Sequence, residues 1–283
     1  MKSRRRVAPA LIAAALAGCS TSGTSPYPER VDMPSLEEPY LLPTEVCGDF
    51  FVVDVHINGS GPWSFLLDTG AGRTMVDPDV LREAKVVGRL DSLRIGEFSA
   101  FHLGYGRLDM EELSAALGRR VDGILGHPVF GGTLVTYDYP AREVVLEVGE
   151  LPADDTLVVP TRADVRPFVQ SEVGGTRRWV LIDTGSSRGL TLRETRMLPW
   201  ESPMEATGAR VRVDGVHVVL SGRMAGEARL GLMRVDRPVV SNSVSVDLVG
   251  QEVLRHYRLT FDQRKDRLRI ERPDTGLHAA VGS

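Results

Sequence analysis

Phe65-Leu66-Leu67-Asp68-Thr69-Gly70-Ala71-Gly72 is an apolar run that drives straight into a carboxylate and a small-residue turn. Consecutive large apolar residues predict a strand buried on both faces. A carboxylate at the end of such a strand sits where water is scarce, so it needs a partner or a task. Val180-Leu181-Ile182-Asp183-Thr184-Gly185-Ser186-Ser187 repeats the pattern 115 positions later and offers that partner.

The flanking sequence supports strands on either side. Phe50 to Ile57 is rich in β-branched and aromatic residues, and Asn58-Gly59 is a strong hairpin signal before the strand that delivers Asp68. Short helices are predicted over Pro78–Lys85 and Met110–Leu117, with a strand at Leu93–Gly96 between them. Ile124-Leu125-Gly126 then reads as a buried strand ending in close backbone approach. Leu134–Tyr137 and Glu143–Val148 form a hairpin around Tyr139-Pro140.

After a polar stretch the plan starts again. Phe168–Val173, a Gly174-Gly175 turn and Trp179–Ile182 lead to Asp183. Leu248-Val249-Gly250 echoes Ile124-Leu125-Gly126, and Leu259–Asp262 echoes Val135–Asp138, both at an offset of 124. The chain is therefore read as an internal duplication, whose two-fold relation brings Asp68 and Asp183 face to face. The predicted fold class is all-β, mainly strands with short helices, in two pseudo-symmetric lobes with a cleft between them.

Composition narrows the function. The 283 residues suffice for a sizeable core, and a net charge of −4 argues against a dedicated nucleic-acid binder. Lysine occurs only at 2, 85 and 265, against many arginines, which is read as codon bias rather than a phosphate-binding patch. His56, His102, His127, His217, His256 and His278 show no metal-ligand spacing, and neither a metal nor a cofactor is expected.

Lys2, Arg4, Arg5 and Arg6 precede a short apolar stretch, Val7 to Ala17, too short to span a bilayer. Leu16-Ala17-Gly18-Cys19 resembles a bacterial lipobox, and that resemblance implies cleavage before Cys19 and its lipidation. An ordinary secretory signal with a chance cysteine is the alternative. Ser20 in place of aspartate implies, by analogy with Gram-negative lipoproteins, an outer-membrane address facing the periplasm. Cys47 is then the one remaining thiol, so no intramolecular disulfide is expected, and a small buried residue is its plainest reading. The divisions expected are a signal and lipidated cysteine (1–19), a flexible tether (20–45), a first lobe (46–150), a linker (151–163), a second lobe (164–272) and a tail (273–283).

The two apolar-Asp-Thr-Gly segments, each with a downstream apolar-apolar-Gly segment, resemble the retropepsin and pepsin clan of aspartic proteases. The bacterial retropepsin-like group is the closest likeness, and it covers roughly Cys47 to Glu271. The resemblance implies hydrolysis of peptide bonds by a water activated between Asp68 and Asp183. Thr69 and Thr184 would lock the two loops together, and Gly70 and Gly185 would permit the turns. Ile124, Leu125, Gly126, Leu248, Val249 and Gly250 would brace them. A peptide or protein substrate, a membrane surface reached through the lipid, and a monomeric state complete the expectation.

Asp274-Thr275-Gly276 shows that the tripeptide alone decides nothing, because no apolar strand leads into it. Each Asp-Thr-Gly would then be only a strand-to-turn junction, or the fold a catalytically inactive peptide-binding or scaffolding lipoprotein. Both aspartates and both threonines being present favours the enzyme. Ser186 follows Gly185 where Ala71 follows Gly70, so a hydroxyl is expected to bias the charge towards Asp183. A single flap hairpin is expected from the second copy, Ala209–Met224, because the first copy has little room for one before Leu93.

Overall fold

The computed structural model describes residues 25–35, 37–212, 215–243 and 245–273. The chain is all-β, with three short helices among the described residues. Two nine-stranded sheets and a six-stranded sheet carry the architecture. The signal segment, Cys19 and Asp274-Thr275-Gly276 lie outside the described residues.

The first nine-stranded sheet contains Phe50–Ile57 and Ser60–Asp68, paired antiparallel around Asn58-Gly59. Both turn residues have positive φ, 51° and 79°, as a tight two-residue hairpin requires. Gly123–Gly126 lies parallel to the aspartate strand, with Leu66 opposite Ile124 and Asp68 opposite Gly126. The second nine-stranded sheet repeats this arrangement. Thr176–Ile182 runs parallel to Leu248–Val249, with Ile182 opposite Val249.

Burial on both faces follows from the sequence. Phe65 and Leu67 enter the main core, whereas Leu66 packs on the other face with Phe50, Val52 and Val121. In the second copy Val180 and Ile182 join the main core, and Leu181 packs with Phe168 and Leu248. Each aspartate strand is thus clamped from two sides, so the loop at its end is held by packed apolar mass.

The six-stranded sheet draws strands from both copies. Leu134–Asp138 pairs antiparallel with Arg258–Asp262, and Thr136 stands opposite Thr260. The two Thr Oγ1 atoms are 2.8 Å apart and separated by 124 positions, the offset of the duplication. Equivalent positions of the repeat thus meet in this sheet.

Several expectations change. The tether gives way from Arg30 onward. Arg30–Asp32 pairs with Phe98–Leu103, Tyr40–Leu41 pairs with Glu143–Glu147, and Leu42 is buried. Its prolines suggested an extended spacer, but extended backbone beside an open sheet edge is free to pair with it. The linker likewise contains an edge strand, Val158–Pro160, on Arg267–Glu271. Pro160 is tolerated there because it ends an edge strand.

The predicted helices occur as Pro78–Glu83 and Glu111–Leu117. Asp77 caps the first by accepting the Asp79 N–H at 2.8 Å. Left-handed Gly118 ends the second. Leu90–Ile95 is longer than expected and pairs with Phe98–Leu103, a strand the sequence reading missed. Leu93, Ile95, Phe98 and Leu103 are fully buried, so this hairpin belongs to the packed sheet and is no flap. The second-copy hairpin is present as Glu205–Arg212 against Gly215–Arg223, with its turn outside the described residues. Cys47 ends the short strand Thr44–Cys47, half-buried and free.

Candidate active site

Asp68 and Asp183 meet where the two aspartate strands end. Their side chains are only 5% and 4% exposed, and they are hydrogen-bonded to each other. The two loops are locked by reciprocal bonds. Thr69 N–H donates to Thr184 Oγ1 at 3.0 Å, and Thr184 N–H donates to Thr69 Oγ1 at 3.1 Å. Thr69 Oγ1 donates onward to the Ile182 carbonyl at 2.6 Å, and Thr184 Oγ1 to the Leu67 carbonyl at 3.2 Å. All four bonds cross from one copy to the other, and Thr69 and Thr184 are buried. Loss of any one strands a buried polar group.

The glycines are required by crowding. A Cβ on Gly70 would lie 2.5 Å from Asp183 Cγ, and one on Gly185 would strike the Asp68 carboxyl. Each turn therefore presses against the opposite aspartate. The turns also aim amides at the carboxylates. Gly70 N–H donates to Asp68 Oδ1 at 2.7 Å, and Gly185 N–H to Asp183 Oδ1 at 3.0 Å.

The bracing strands hold the loops from behind. A Cβ on Gly126 would lie 2.5 Å from the Arg73 carbonyl carbon, and one on Gly250 would lie 2.5 Å from the Arg188 oxygen. The residue after each glycine donates its N–H to its loop. His127 reaches the Ala71 carbonyl at 2.9 Å, and Gln251 reaches the Ser186 carbonyl at 2.8 Å. Ile124 and Leu125, like Leu248 and Val249, are buried behind the dyad.

Sequence reading missed Gln251. Its side-chain Nε2 donates to the Thr184 carbonyl at 2.7 Å and to the Tyr139 hydroxyl at 2.9 Å. Its place just after the bracing glycine was the available signal. His127 holds the equivalent place but is buried edge-on to the Phe261 ring at 5.1 Å. Burial lowers its pKa to about 3, so it is a neutral packing residue here.

Burial raises both aspartate pKa values above the ordinary carboxylate range. For Asp183 the nearby Asp68 charge raises it further. Amides of Gly70, Ala71 and Gly185 oppose the shift at Asp68, whereas at Asp183 the opposing amide is that of Gly185, helped by the Arg166 charge. Two such carboxyls share one proton, and the titration belongs to the pair. Each aspartate receives one turn amide on its Oδ1, so the hydrogen bonds assign the charge to neither member of the pair. Ser186 is buried and its Oγ accepts the Arg188 N–H at 3.4 Å rather than donating to Asp183. Ser186→Ala is accordingly expected to leave the acidic limb of a pH–rate profile in place; a clear shift of that limb would restore the hydroxyl's role.

Among the described residues no group of three or more His, Cys, Asp or Glu side chains is arranged to hold a metal ion. The dyad can hold a small polar molecule between an ionised and a protonated oxygen and exchange protons with it. No protein-family model and no curated protein matches the chain, so its functional reading rests on these residues and their geometry.

Proposed function

We propose that the chain is an aspartic endopeptidase of retropepsin-like organisation, with one aspartate contributed by each of two lobes. The observation that carries this reading is the buried, mutually hydrogen-bonded Asp68–Asp183 pair, locked by reciprocal threonine bonds across the duplication. A water held between the carboxyls loses a proton to the ionised member and attacks the scissile carbonyl. The protonated member donates a hydrogen bond to that carbonyl oxygen as a gem-diol forms. A proton then passes to the leaving nitrogen as the C–N bond breaks. Each general acid–base transfer is worth roughly 10²–10⁴ in rate.

No described helix is long and apolar enough to cross a membrane. The lipobox-like Leu16-Ala17-Gly18-Cys19 supports a lipid-anchored monomer on the bacterial cell envelope, on the outer membrane facing the periplasm. Its substrate would be a peptide or protein rather than a nucleic acid. The second-copy hairpin supports the flap, because Val218 and Leu220 on it are 56% and 36% exposed.

The full chain, purified in detergent, is to be incubated with a peptide library from acidic to neutral pH in oxygen-18 water. Cleavage should place a single label in each new carboxyl group and should vanish in Asp68→Asn and Asp183→Asn. Robust cleavage by both variants would assign the chemistry elsewhere. Peptide binding without hydrolysis by the unsubstituted chain would identify a binding lipoprotein on this fold.

A further inference from the structure

The turn amides serve the two aspartates evenly, and the copies differ one bond further back. The Thr184 carbonyl and the Gly185 N–H belong to the same peptide unit. The N–H donates to Asp183 Oδ1 at 3.0 Å, and the carbonyl accepts from Gln251 Nε2 at 2.7 Å. Gln251 thus reaches Asp183 through a single peptide. A hydrogen bond to a carbonyl polarises its amide and strengthens the bond which that amide donates. Because the peptide is planar, the same bond also fixes the direction of the N–H.

The side chain is committed to this contact. Gln251 is 1% exposed, and its Nε2 also donates to the Tyr139 hydroxyl at 2.9 Å, on the hairpin of the other copy. Its Oε1 is buried with no hydrogen-bond partner among the described residues. Turning the amide over would set Oε1 against the Thr184 carbonyl, one acceptor facing another. The orphaned oxygen is the cost of holding the loop.

The duplication supplies a comparison within the chain. At the offset of 124, Gln251 corresponds to His127 and Tyr139 to Gln263. These two are also joined across the copies, but there Gln263 Nε2 donates to the main-chain carbonyl of His127 at 2.7 Å. The His127 ring turns to Phe261. The first pair therefore fastens the brace, whereas the second fastens the catalytic turn.

We propose that Gln251 is a positioning residue for the dyad: it holds and polarises the Thr184–Gly185 peptide, and through it sustains the ionised form of the Asp68–Asp183 pair. The kinetic part of this proposal rests on the endopeptidase reading. The Gly185 amide lowers the Asp183 pKa, so a weakened amide raises the pH at which the pair gives up its first proton.

Gln251→Met keeps the side-chain length and removes both donors. With the full chain in detergent, kcat should fall about tenfold or more while KM stays within about twofold. The acidic limb of the pH–rate profile should move up by about half a unit or more. Gln251→Glu should keep more activity at the acidic end, where a protonated carboxyl can donate to the Thr184 carbonyl, and lose it as that carboxyl ionises. Tyr139→Phe, the milder change, should move the limb the same way by a smaller amount. Gln263→Met deletes the amide at the other junction and should leave the limb in place. An unmoved limb in both Gln251→Met and Tyr139→Phe, or an equal shift in Gln263→Met, overturns the proposal. A carboxyl titration followed by NMR on chains labelled with carbon-13 aspartate, with signals assigned through Asp68→Asn and Asp183→Asn, reads the same shift without substrate. The expected shift in a chain that cleaves no peptide keeps the positioning role and removes the protease. Cleavage with no shift in Gln251→Met removes the positioning role alone.

Discussion

Asp68→Asn and Asp183→Asn are each expected to lower kcat/KM by about 10⁴-fold or more, since the water loses either its base or its acid partner. The same substitutions should raise the melting temperature at neutral pH. Both carboxyls titrate above the ordinary aspartate range when folded, chiefly because they are buried. The folded chain therefore keeps protons that the unfolded chain releases. The dyad's contribution to stability is complete below the unfolded aspartate pKa of about 3.9 and is lost as pH rises through the folded values.

An amide in place of one carboxyl removes that loss. The gain should be visible at neutral pH and disappear below about pH 4, where both carboxyls are neutral in either state. Thermal melts of the unsubstituted and variant chains across pH measure this directly. An unchanged melting temperature at every pH would mean that the carboxyls do not share a proton, even if activity fell.

The second large effect concerns the brace. Gly126→Ala places a methyl group 2.5 Å from the Arg73 carbonyl carbon and 2.8 Å from the Ala71 oxygen. Both contacts are backbone in the loop that carries Asp68, so no side-chain rotation relieves them. Overpacking of this kind costs about 3 kcal/mol or more. For a chain of this size that lowers the melting temperature by roughly 6–12 °C. Activity should fall further than stability requires, because the strain is released by moving the Asp68 loop against Thr184. Gly250→Ala should behave alike through the Ser186 and Arg188 oxygens. Gly88→Ala is the comparison: its φ of 75° strains any side chain, but its Cβ meets nothing within 4 Å. A brace variant with a melting temperature and activity near those of Gly88→Ala would refute the bracing role.

Much of the site was legible because its signals are local or repeated. Apolar runs buried on both faces need no tertiary information to be read as strands, and Asn58-Gly59 encodes its own turn. The 124-residue echo matched Val135–Asp138 to Leu259–Asp262, and the structure adds that these echoing strands pair, with Thr136 opposite Thr260. What escaped was non-local. Arg30–Asp32 carries no strong strand pattern, yet it pairs with residues 99–101 because that edge is open to it. Phe98–Leu103 was overlooked behind Gly96, whose φ of 56° turns the chain into it.

The amino-acid sequence by itself determined the duplication, the strand-to-turn placement of Asp68 and Asp183, and the small residues needed where backbones crowd. Those follow from burial periodicity and from glycine's lack of a side chain, properties that residues carry with them. The tertiary structure alone decided that both carboxyls are buried and raised above the ordinary aspartate range, since that depends on what packs around them. It likewise assigned Ser186 Oγ to the Arg188 amide and Gln251 to the Thr184 carbonyl. Hydrogen bonds are directional and fade within an ångström, so such choices exist only once the chain has closed around them.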